Sequence, residues 1–249
     1  MSSKDSSTEK YLAMKVGGRI LAQILQDIKK QTHVGMTTQE IDDLARRFCL
    51  KHHVKPSFLN YEGYPAAICV SLNDEVVHGI PGDKVINEGD LVSLDFGVEY
   101  SGYHTDSAIT FGVGNISAEA HRLMTVTEKS LMMGIEKARA GNHIGAIGYE
   151  VQKSVEAGGF GVVRALVGHA IGENVHEEPF VPNYGKATDG PIIRANGALA
   201  IEPMVTVGSF EVTVASDGWT YRTVDGQLSA HFEHTVWIHP DGPEILTQL

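Results

Sequence analysis

Five residues with metal-binding side chains stand on segments that are otherwise apolar and strand-like: Asp95, Asp106, His169, Glu202 and Glu233. A lone strand carboxylate usually lies on a solvated face, and a lone histidine beside glycine is more often structural than a ligand. Together, however, these residues would bring up to four negative charges into a core, where burial of even one unpaired carboxylate is costly. A shared proton or a bound cation would relieve that cost.

The first two acids lie in one predicted β-hairpin, residues 91–111, with the sequence LVSLDFGVEYSGYHTDSAITF. If the turn centres on Tyr100 and Ser101, Asp95 lies directly opposite Asp106. Directly opposed residues of an antiparallel pair have Cβ atoms about 4.5–5.5 Å apart on one face. The hairpin therefore predicts two adjacent carboxylates that repel each other.

The donor types indicate which cations would fit. Carboxylate oxygens with a single imidazole suit Mn²⁺, Fe²⁺, Co²⁺ or Zn²⁺, and the excess of oxygen donors favours Mn²⁺ or Fe²⁺. Five ligands that can bridge suit two ions about 3.5–4 Å apart, an arrangement common in hydrolases. The sequence has no His-Glu-x-x-His, Cys-x-x-Cys, Gly-x-Ser-x-Gly or Walker motif, which disfavours the zincin, zinc-finger, serine-hydrolase and P-loop nucleotide-binding classes.

The elements that position these residues follow from the spacing of apolar side chains. Thr37 and Glu40 form a predicted capping box that begins the second of four helices. The helices are predicted over 8–32, 37–52, 117–140 and 144–156. The main strands are predicted over 66–72, 91–99, 103–111, 163–169, 198–203, 210–215, 220–223 and 229–239.

The order of two helices followed by strands occurs twice along the chain, and a weak sequence match recurs at an offset of 106 residues. This pattern predicts an α+β fold of two similar halves, about 11–114 and 115–249. No Pro/Ser-rich linker separates the halves, so we expect one catalytic domain over 1–249, with residues 1–10 flexible.

Composition limits the partners. Among 249 residues the formal net charge is −11, which disfavours nucleic acid and anionic membranes as electrostatic partners. The two cysteines exclude a disulfide framework and suit a reducing compartment. No apolar run approaches a membrane span and no signal peptide is evident, so the expected location is the cytoplasm, with an organelle matrix as the alternative.

Five segments, in order and at the right spacing, resemble the type I methionine aminopeptidases: GYPAAICVSLNDEVVHGIPG (63–82), SLDFGVEYSGYHTDSAITF (93–111), VGHAIGENVHEEP (167–179), AIEPM (200–204) and SAHFEHTVWI (229–238). The resemblance covers nearly the whole chain. It implies the pita-bread fold, in which helices lie outside a curved antiparallel sheet with two pseudo-symmetric halves. The 33 positions from His169 to Glu202 leave no room for the long helical insert of type II enzymes.

The resemblance also implies the metal ligands. Asp106 and Glu233 would bridge two divalent ions, Asp95 would chelate one, and His169 and Glu202 would bind the other. A water bridging the ions would be the nucleophile, with Glu202 as general base.

The remaining site residues are implied in the same way. His176 would stabilise the tetrahedral intermediate and His78 would contact the substrate backbone and assist proton transfer. The implied pocket for the methionine side chain is formed by Tyr61, Tyr64, Cys69 and Trp219. A monovalent cation, Na⁺ or K⁺, is a candidate near Asn73, Glu75 and Ser229.

Four positions depart from the family pattern, and none of them removes a metal ligand. Phe58 replaces a common cysteine, Val175 replaces an aromatic residue, Glu62 replaces a histidine and His231 replaces a glutamine. Phe58 and Val175 would touch the substrate cleft and so affect its width.

The resemblance implies removal of the N-terminal methionine from nascent polypeptides whose second residue is small. The enzyme is expected to be a monomer, with the ribosome as a candidate partner. Two alternatives stay open: an X-Pro aminopeptidase or prolidase relative, and a pita-bread binding protein without catalysis. The first usually has an additional N-terminal domain, and the second usually lacks metal ligands that are present here.

Overall fold

The structure, a computed structural model, describes the backbone of residues 3–249 and the side chains from residue 7 onward. Four helices are α1 (Ser3–Gln31), α2 (Thr38–His52), α3 (Ala118–Ile135) and α4 (Gly145–Ala157). All four predicted helices are present, although α3 ends before the predicted residue 140. The expected flexibility of residues 1–10 falls partly on residues 1–2, outside the described part, and stays a prediction.

The strands are all paired antiparallel: β1 (Lys55–Pro56), β2 (Cys69–Leu72), β3 (Glu75–Val77), β4 (Leu91–Tyr100), β5 (Tyr103–Gly112), β6 (Gly161–Val162), β7 (Gly168–Ile171), β8 (Glu177–Val181), β9 (Ala198–Ile201), β10 (Met204–Thr206), β11 (Val212–Val214), β12 (Tyr221–Thr223), β13 (Ser229–His231), β14 (His234–Ile238) and β15 (Pro243–Ile245). One sheet joins β1, β2, β4 and β5, and another has the order β15-β14-β9-β7-β8. Two three-stranded sheets, β13-β10-β6 and β11-β12-β3, complete the set in the described residues.

In the first half, α1 and α2 pack against β2, β4 and β5. Leu21 and Ile24 of α1 and Ile41 of α2 share a buried core with Val92 and Phe96 of β4. The predicted capping box is present, since the Thr37 side chain accepts from the backbone of Glu40 and the Glu40 side chain accepts from the backbone of Thr37. The cap orients α2 for this packing.

The second half repeats the arrangement. Leu123 of α3 and Ile147 of α4 share a second buried core with Leu199 of β9 and Val236 of β14. Two helices therefore cover one sheet in each half, which confirms the predicted α+β fold with two similar halves.

The predicted register of the first hairpin is wrong. Asp95 pairs with Ala108 and Gly97 pairs with Asp106. The turn is centred one residue later than predicted, because Ser101 and Gly102 both adopt left-handed backbone angles, with φ of 52° and 84°, as a two-residue hairpin turn requires. The two aspartates remain on the same face as diagonal neighbours, at a Cβ separation of about 7–8 Å or somewhat less.

Two predicted strands are interrupted. The strand predicted over 163–169 is wrong for most of its length, since pairing stops at Val162 and resumes at Gly168. The strand predicted over 229–239 divides into β13 and β14 at Phe232–Glu233. Among residues 3–249, no helix has both the length and the apolar character to cross a bilayer.

Candidate active site and metal centre

A cavity of about 120 Å³ brings all the predicted ligand residues together. Its lining comes from both halves of the chain: Phe58, Tyr61, Glu62, Tyr64, Cys69, His78, Asp95, Asp106, His169, His176, Glu202, Trp219 and Glu233. Carboxylates form one wall, aromatic and apolar groups form another, and no lysine or arginine of the described chain lines it.

Asp106 and Glu233 are brought together by contacts between β5 and the junction of β13 and β14. The Glu233 backbone N–H donates to the carbonyl of Ala108 at 2.9 Å. The backbone N–H of Asp106 donates to Oγ1 of Thr235 at 2.8 Å, and that hydroxyl donates to the Asp106 carbonyl at 2.8 Å. The break in the strand at Glu233 therefore faces the carboxylate of Asp106 across the sheet interface.

His169 and Glu202 are positioned by the pairing of β7 with β9. His169 pairs with Ala200, and Glu202 follows the end of β9 immediately before Pro203. A Cβ at Gly168 would collide with the carbonyl of Ala200, so glycine permits this close pairing. The His169 Nε2 atom lies 3.5 Å from Oε1 of Glu202.

The orientation of His169 leaves one nitrogen for a ligand. Its Nδ1 lies 3.0 Å from the carbonyl of Ala170, which can only accept, so Nδ1 carries the proton and Nε2 is unprotonated. Single donor atoms of Asp106, His169 and Glu233 lie within 4.8 Å of one another, and all three residues are buried. A single ion could contact all three.

Two carboxylate oxygens are left without a partner: Oδ1 of Asp95 and Oε1 of Glu233 are buried and accept no hydrogen bond. Buried acceptors of this kind are costly unless something satisfies them. Divalent cations prefer such oxygen donors together with an imidazole. The residues present therefore fit a divalent metal centre.

Burial and mutual repulsion raise the pKa values of the four carboxyl groups in the cavity. Burial, followed by the neighbouring charge of Asp106, raises the pKa of Asp95 well above its ordinary value, and burial raises the pKa of Asp106 to about 7. The pKa values of Glu202 and Glu233 are also raised, chiefly by burial and then by the neighbouring aspartates. Burial lowers the pKa of His169 to about 3, so the imidazole is neutral and able to ligate.

Two further histidines line the cavity. The His176 ring stands edge-on to His169 with centroids 4.3 Å apart, and its Nδ1 lies 3.0 Å from the hydroxyl of Tyr61. His78 adopts a left-handed backbone with φ of 59°, and its ring meets the edge of Tyr221 at 5.7 Å. Burial, and then the charge of His176, lowers the pKa of His78 to about 4.

The apolar wall is a cluster of side chains around Tyr64. Its ring packs edge-on against Trp219 with centroids 5.2 Å apart, and its hydroxyl donates to the carbonyl of Gly79 at 2.9 Å. Cys69 is buried beside it, and burial raises the pKa of the thiol, so it remains protonated. Phe58 and Val175 pack into the same cluster. An apolar slot thus opens directly onto the carboxylates.

Residues 13–240 match the family model described as metallopeptidase family M24. The chain belongs to this family. It is 51% identical to the methionine aminopeptidase of Clostridium perfringens, over 94% of each chain, and 45% identical to methionine aminopeptidase 1 of Bacillus subtilis, over 95% of each. The predicted resemblance and the predicted enzyme class, a metalloaminopeptidase, are confirmed by these matches.

Solved structures of the M24 family agree with the fold. The methionine aminopeptidase of Thermotoga maritima has a TM-score of 0.95 at 42% identity, with 97% of each chain covered. A prolidase from Pyrococcus furiosus has a TM-score of 0.76 at 18% identity, and covers 97% of this chain but 64% of its own. The second likeness shows the pita-bread fold alone.

Two residues behind the cavity in this M24 chain were not predicted to have a role there. Asn183 is fully buried and donates from Nδ2 to the carbonyl of Glu202 at 3.0 Å. His231, noted from sequence only as a departure from the family, lies with Nε2 3.7 Å from Oε2 of Glu202. Asn183 and Glu202 are 19 positions apart and His231 and Glu202 are 29 apart, so neither contact with Glu202 follows from a local sequence pattern, although His231 is two positions before Glu233.

The three residues predicted near a monovalent cation do meet in space. Ser229 donates from its backbone to the carbonyl of Asn73 at 2.8 Å and from Oγ to the carbonyl of Glu75 at 3.2 Å. A cation at this position stays a prediction.

Proposed function

We propose that this protein removes the N-terminal methionine from nascent polypeptides whose second residue is small. The observation that carries the proposal is the cavity in which five metal-binding side chains face an apolar aromatic slot. Relatives at 45–51% identity named methionine aminopeptidases support the same activity.

The five side chains would hold two divalent ions. These side chains are those of Asp95, Asp106, His169, Glu202 and Glu233. When bound, such ions acidify water towards neutral pH and polarise the substrate carbonyl. The choice among Fe²⁺, Mn²⁺, Co²⁺ and Zn²⁺ belongs to the proposal, and oxygen-rich ligands favour the first two.

The chain's own residues bind, orient and move protons. Glu202, 14% exposed at the cavity wall, would take up a proton as general base. His176, held at Nδ1 by Tyr61, would donate from Nε2 to the carbonyl oxygen as negative charge develops there. His78 would hold the substrate backbone and assist the transfer of a proton to the departing amine.

The slot around Tyr64, Cys69 and Trp219 would bind the methionine side chain. A thioether packs well against aromatic edges and a neutral thiol. Tyr61 would border this pocket, since it lines the cavity and its hydroxyl contacts Nδ1 of His176. Phe58 fills space in this cluster, so the slot would favour an unbranched side chain.

The unit of function would be a single domain over 1–249, acting as a monomer. This is supported by the origin of the donors: Asp95 and Asp106 come from the first half and His169, Glu202 and Glu233 from the second. The cytoplasm, where nascent chains emerge, is the proposed location.

The test is cleavage of matched tripeptides by metal-loaded and metal-free protein. We expect rapid release of methionine from Met-Ala-Ser, little from Met-Leu-Ser, and none from Ala-Pro-Ser. Metal-free protein should be inactive and should recover on addition of Mn²⁺ or Fe²⁺. Preferential cleavage of Ala-Pro-Ser would favour the X-Pro aminopeptidase alternative, and equal rates without metal would contradict the mechanism.

A further inference from the structure

His231 is a buried histidine for which the proposed mechanism has no use. Its residue exposure is 1%, and both ring nitrogens, Nδ1 and Nε2, are buried without a hydrogen-bond partner. A buried polar group without a partner costs about 1–3 kcal/mol. The position therefore needs an explanation other than packing.

The backbone of His231 is fixed from two sides. It pairs with Met204 across β10 and β13. On the other side, its N–H donates to Oγ1 of Thr110 at 2.9 Å, and that hydroxyl donates to the His231 carbonyl at 2.7 Å. The main chain is held on both sides and the side chain is buried, so close packing limits the directions in which the ring can point.

The ring points towards Glu202 from behind the cavity. Its Nε2 lies 3.7 Å from Oε2 of Glu202, whereas the other carboxylate oxygen, Oε1, lies 3.5 Å from His169. A typical N–H···O distance is about 2.9 Å, so a movement of about 0.8 Å would close the first contact. His231 is not part of the cavity lining, but two of its neighbours are. One is Glu202, and the other is His78, whose charge, after burial, lowers the pKa of His231 to about 3.

We infer that His231 is a positioning residue: its Nε2–H donates to Oε2 of Glu202 and thereby turns Oε1 towards His169 and the bound ion. This inference rests on the proposed function, which makes Glu202 both a ligand and the general base. A carboxylate that ligates through one oxygen has the other free to accept such a bond. Hydrogen bonds from outside the ligand set orient metal ligands in this way, and their loss typically lowers affinity or activity about 10–100-fold.

The test compares side chains that differ in reach. In His231→Gln the amide nitrogen can take the place of Nε2, whereas in His231→Asn it stops one methylene short, and His231→Leu has no donor. We expect His231→Leu and His231→Asn to bind Mn²⁺ about 10–100-fold more weakly by calorimetry or to lose kcat by that factor. KM for Met-Ala-Ser should be nearly unchanged, and His231→Gln should remain close to wild type.

Stability of the metal-free protein gives a readout that does not involve activity. Because leucine removes two unsatisfied buried nitrogens, the Tm of metal-free His231→Leu should equal or exceed that of wild type. The matched control is His52→Leu, which removes another buried unpartnered Nε2 at the end of α2, away from the cavity. The control should leave Mn²⁺ affinity and kcat unchanged.

Two outcomes would overturn the inference. If the leucine and asparagine variants bind Mn²⁺ and turn over like wild type, His231 does not position Glu202. If the glutamine variant is as impaired as the leucine variant, ring packing and not the donor is what matters. A wild-type protein that neither binds Mn²⁺ nor cleaves Met-Ala-Ser would instead contradict the proposed function.

Discussion

Two groups of carboxylates in this molecule have opposite surroundings. Glu244 of β15 accepts from Tyr11 at 2.8 Å, from His239 at 2.7 Å, and pairs with Lys15 at 2.8 Å. Although partial burial opposes the effect, hydrogen bonds from Lys15, His239 and Tyr11 lower the pKa of Glu244 to about 2. Its positive partners are supplied by the chain itself.

The cavity carboxylates have no lysine or arginine partner in the described part of the chain, although Oδ1 of Asp106 accepts from the backbone N–H of Ser107 at 2.9 Å. Oδ1 of Asp95 and Oε1 of Glu233 accept nothing, and burial raises the pKa of each acid in the group. The cavity has no counterpart of the positive charge that Lys15 supplies to Glu244, because no lysine or arginine of the described residues lines it. The group around Glu244 therefore holds α1 to the C-terminal strands, whereas the cavity group leaves buried carboxylate oxygens that a divalent cation could satisfy.

The largest expected effect is the loss of activity when a cavity carboxylate, rather than Glu244, is replaced. Glu233→Gln should lower kcat/KM for Met-Ala-Ser by on the order of 10³-fold or more, because it would remove a proposed metal ligand and with it several kcal/mol of metal assistance. Glu244→Gln is the matched control and should stay within about twofold of wild type. An active Glu233→Gln enzyme would contradict the assigned ligands.

Metal binding should stabilise the folded protein through the cavity carboxylates and not through Glu244. At about 100 times the dissociation constant, Mn²⁺ should add about 2.7 kcal/mol of stability, which is a rise in Tm of roughly 5–10 °C for a chain of this size. Scanning fluorimetry with and without a chelator measures the shift. Glu244→Gln should show the same shift and Glu233→Gln a much smaller one; equal shifts in both would remove the distinction.

The two groups should respond to pH with opposite sign. The pKa of Asp106 rises from 3.8 to about 7 on folding, so its ionisation disfavours the native state as pH rises. Metal-free Asp106→Asn should therefore gain stability over wild type as pH rises from about 4 towards 7. The gain includes relief of the repulsion by which the Asp106 charge, after burial, raises the pKa values of Asp95, Glu202 and Glu233. For Glu244 the pKa falls from 4.5 to about 2, so its contribution is present above pH 4.5 and is lost as pH falls towards 2.

Urea unfolding in chelator across this pH range measures both differences. Comparing each variant with wild type cancels the contribution of the buried histidines, which titrate in the same range. A stability gain for Asp106→Asn that shrinks as pH rises would contradict the raised pKa.

The smallest effect is expected from the surface group itself. Glu244→Gln should lower the free energy of unfolding by about 1 kcal/mol or less near neutral pH, because ion pairs at partly exposed sites are weak. Chemical denaturation gives this value. A loss of several kcal/mol would contradict the expectation that the Lys15–Glu244 ion pair is weak.

Local patterns predicted much of the fold, but register and strand breaks required the three-dimensional structure. The capping box at Thr37 and Glu40 was visible because its residues lie three apart. The hairpin register was not, because it depended on Ser101 and Gly102 both adopting positive φ. The interruption at Glu233 was hidden because Phe232 and His234 continue an ordinary strand pattern, while pairing with β5 at Ala108 sets the break.

The sequence by itself determined the ligand types, the family motifs and the two repeats of helices and strands, because these depend on residue identity and short spacing. Tertiary structure decided which of those acids lie close to one another. Asp106 and Glu233 are 127 positions apart, and only the joining of β5 to the β13–β14 junction places them together and away from any lysine or arginine. The unsatisfied ring of His231 behind Glu202 also exists only in the folded chain, because burial and the lack of partners come from packing.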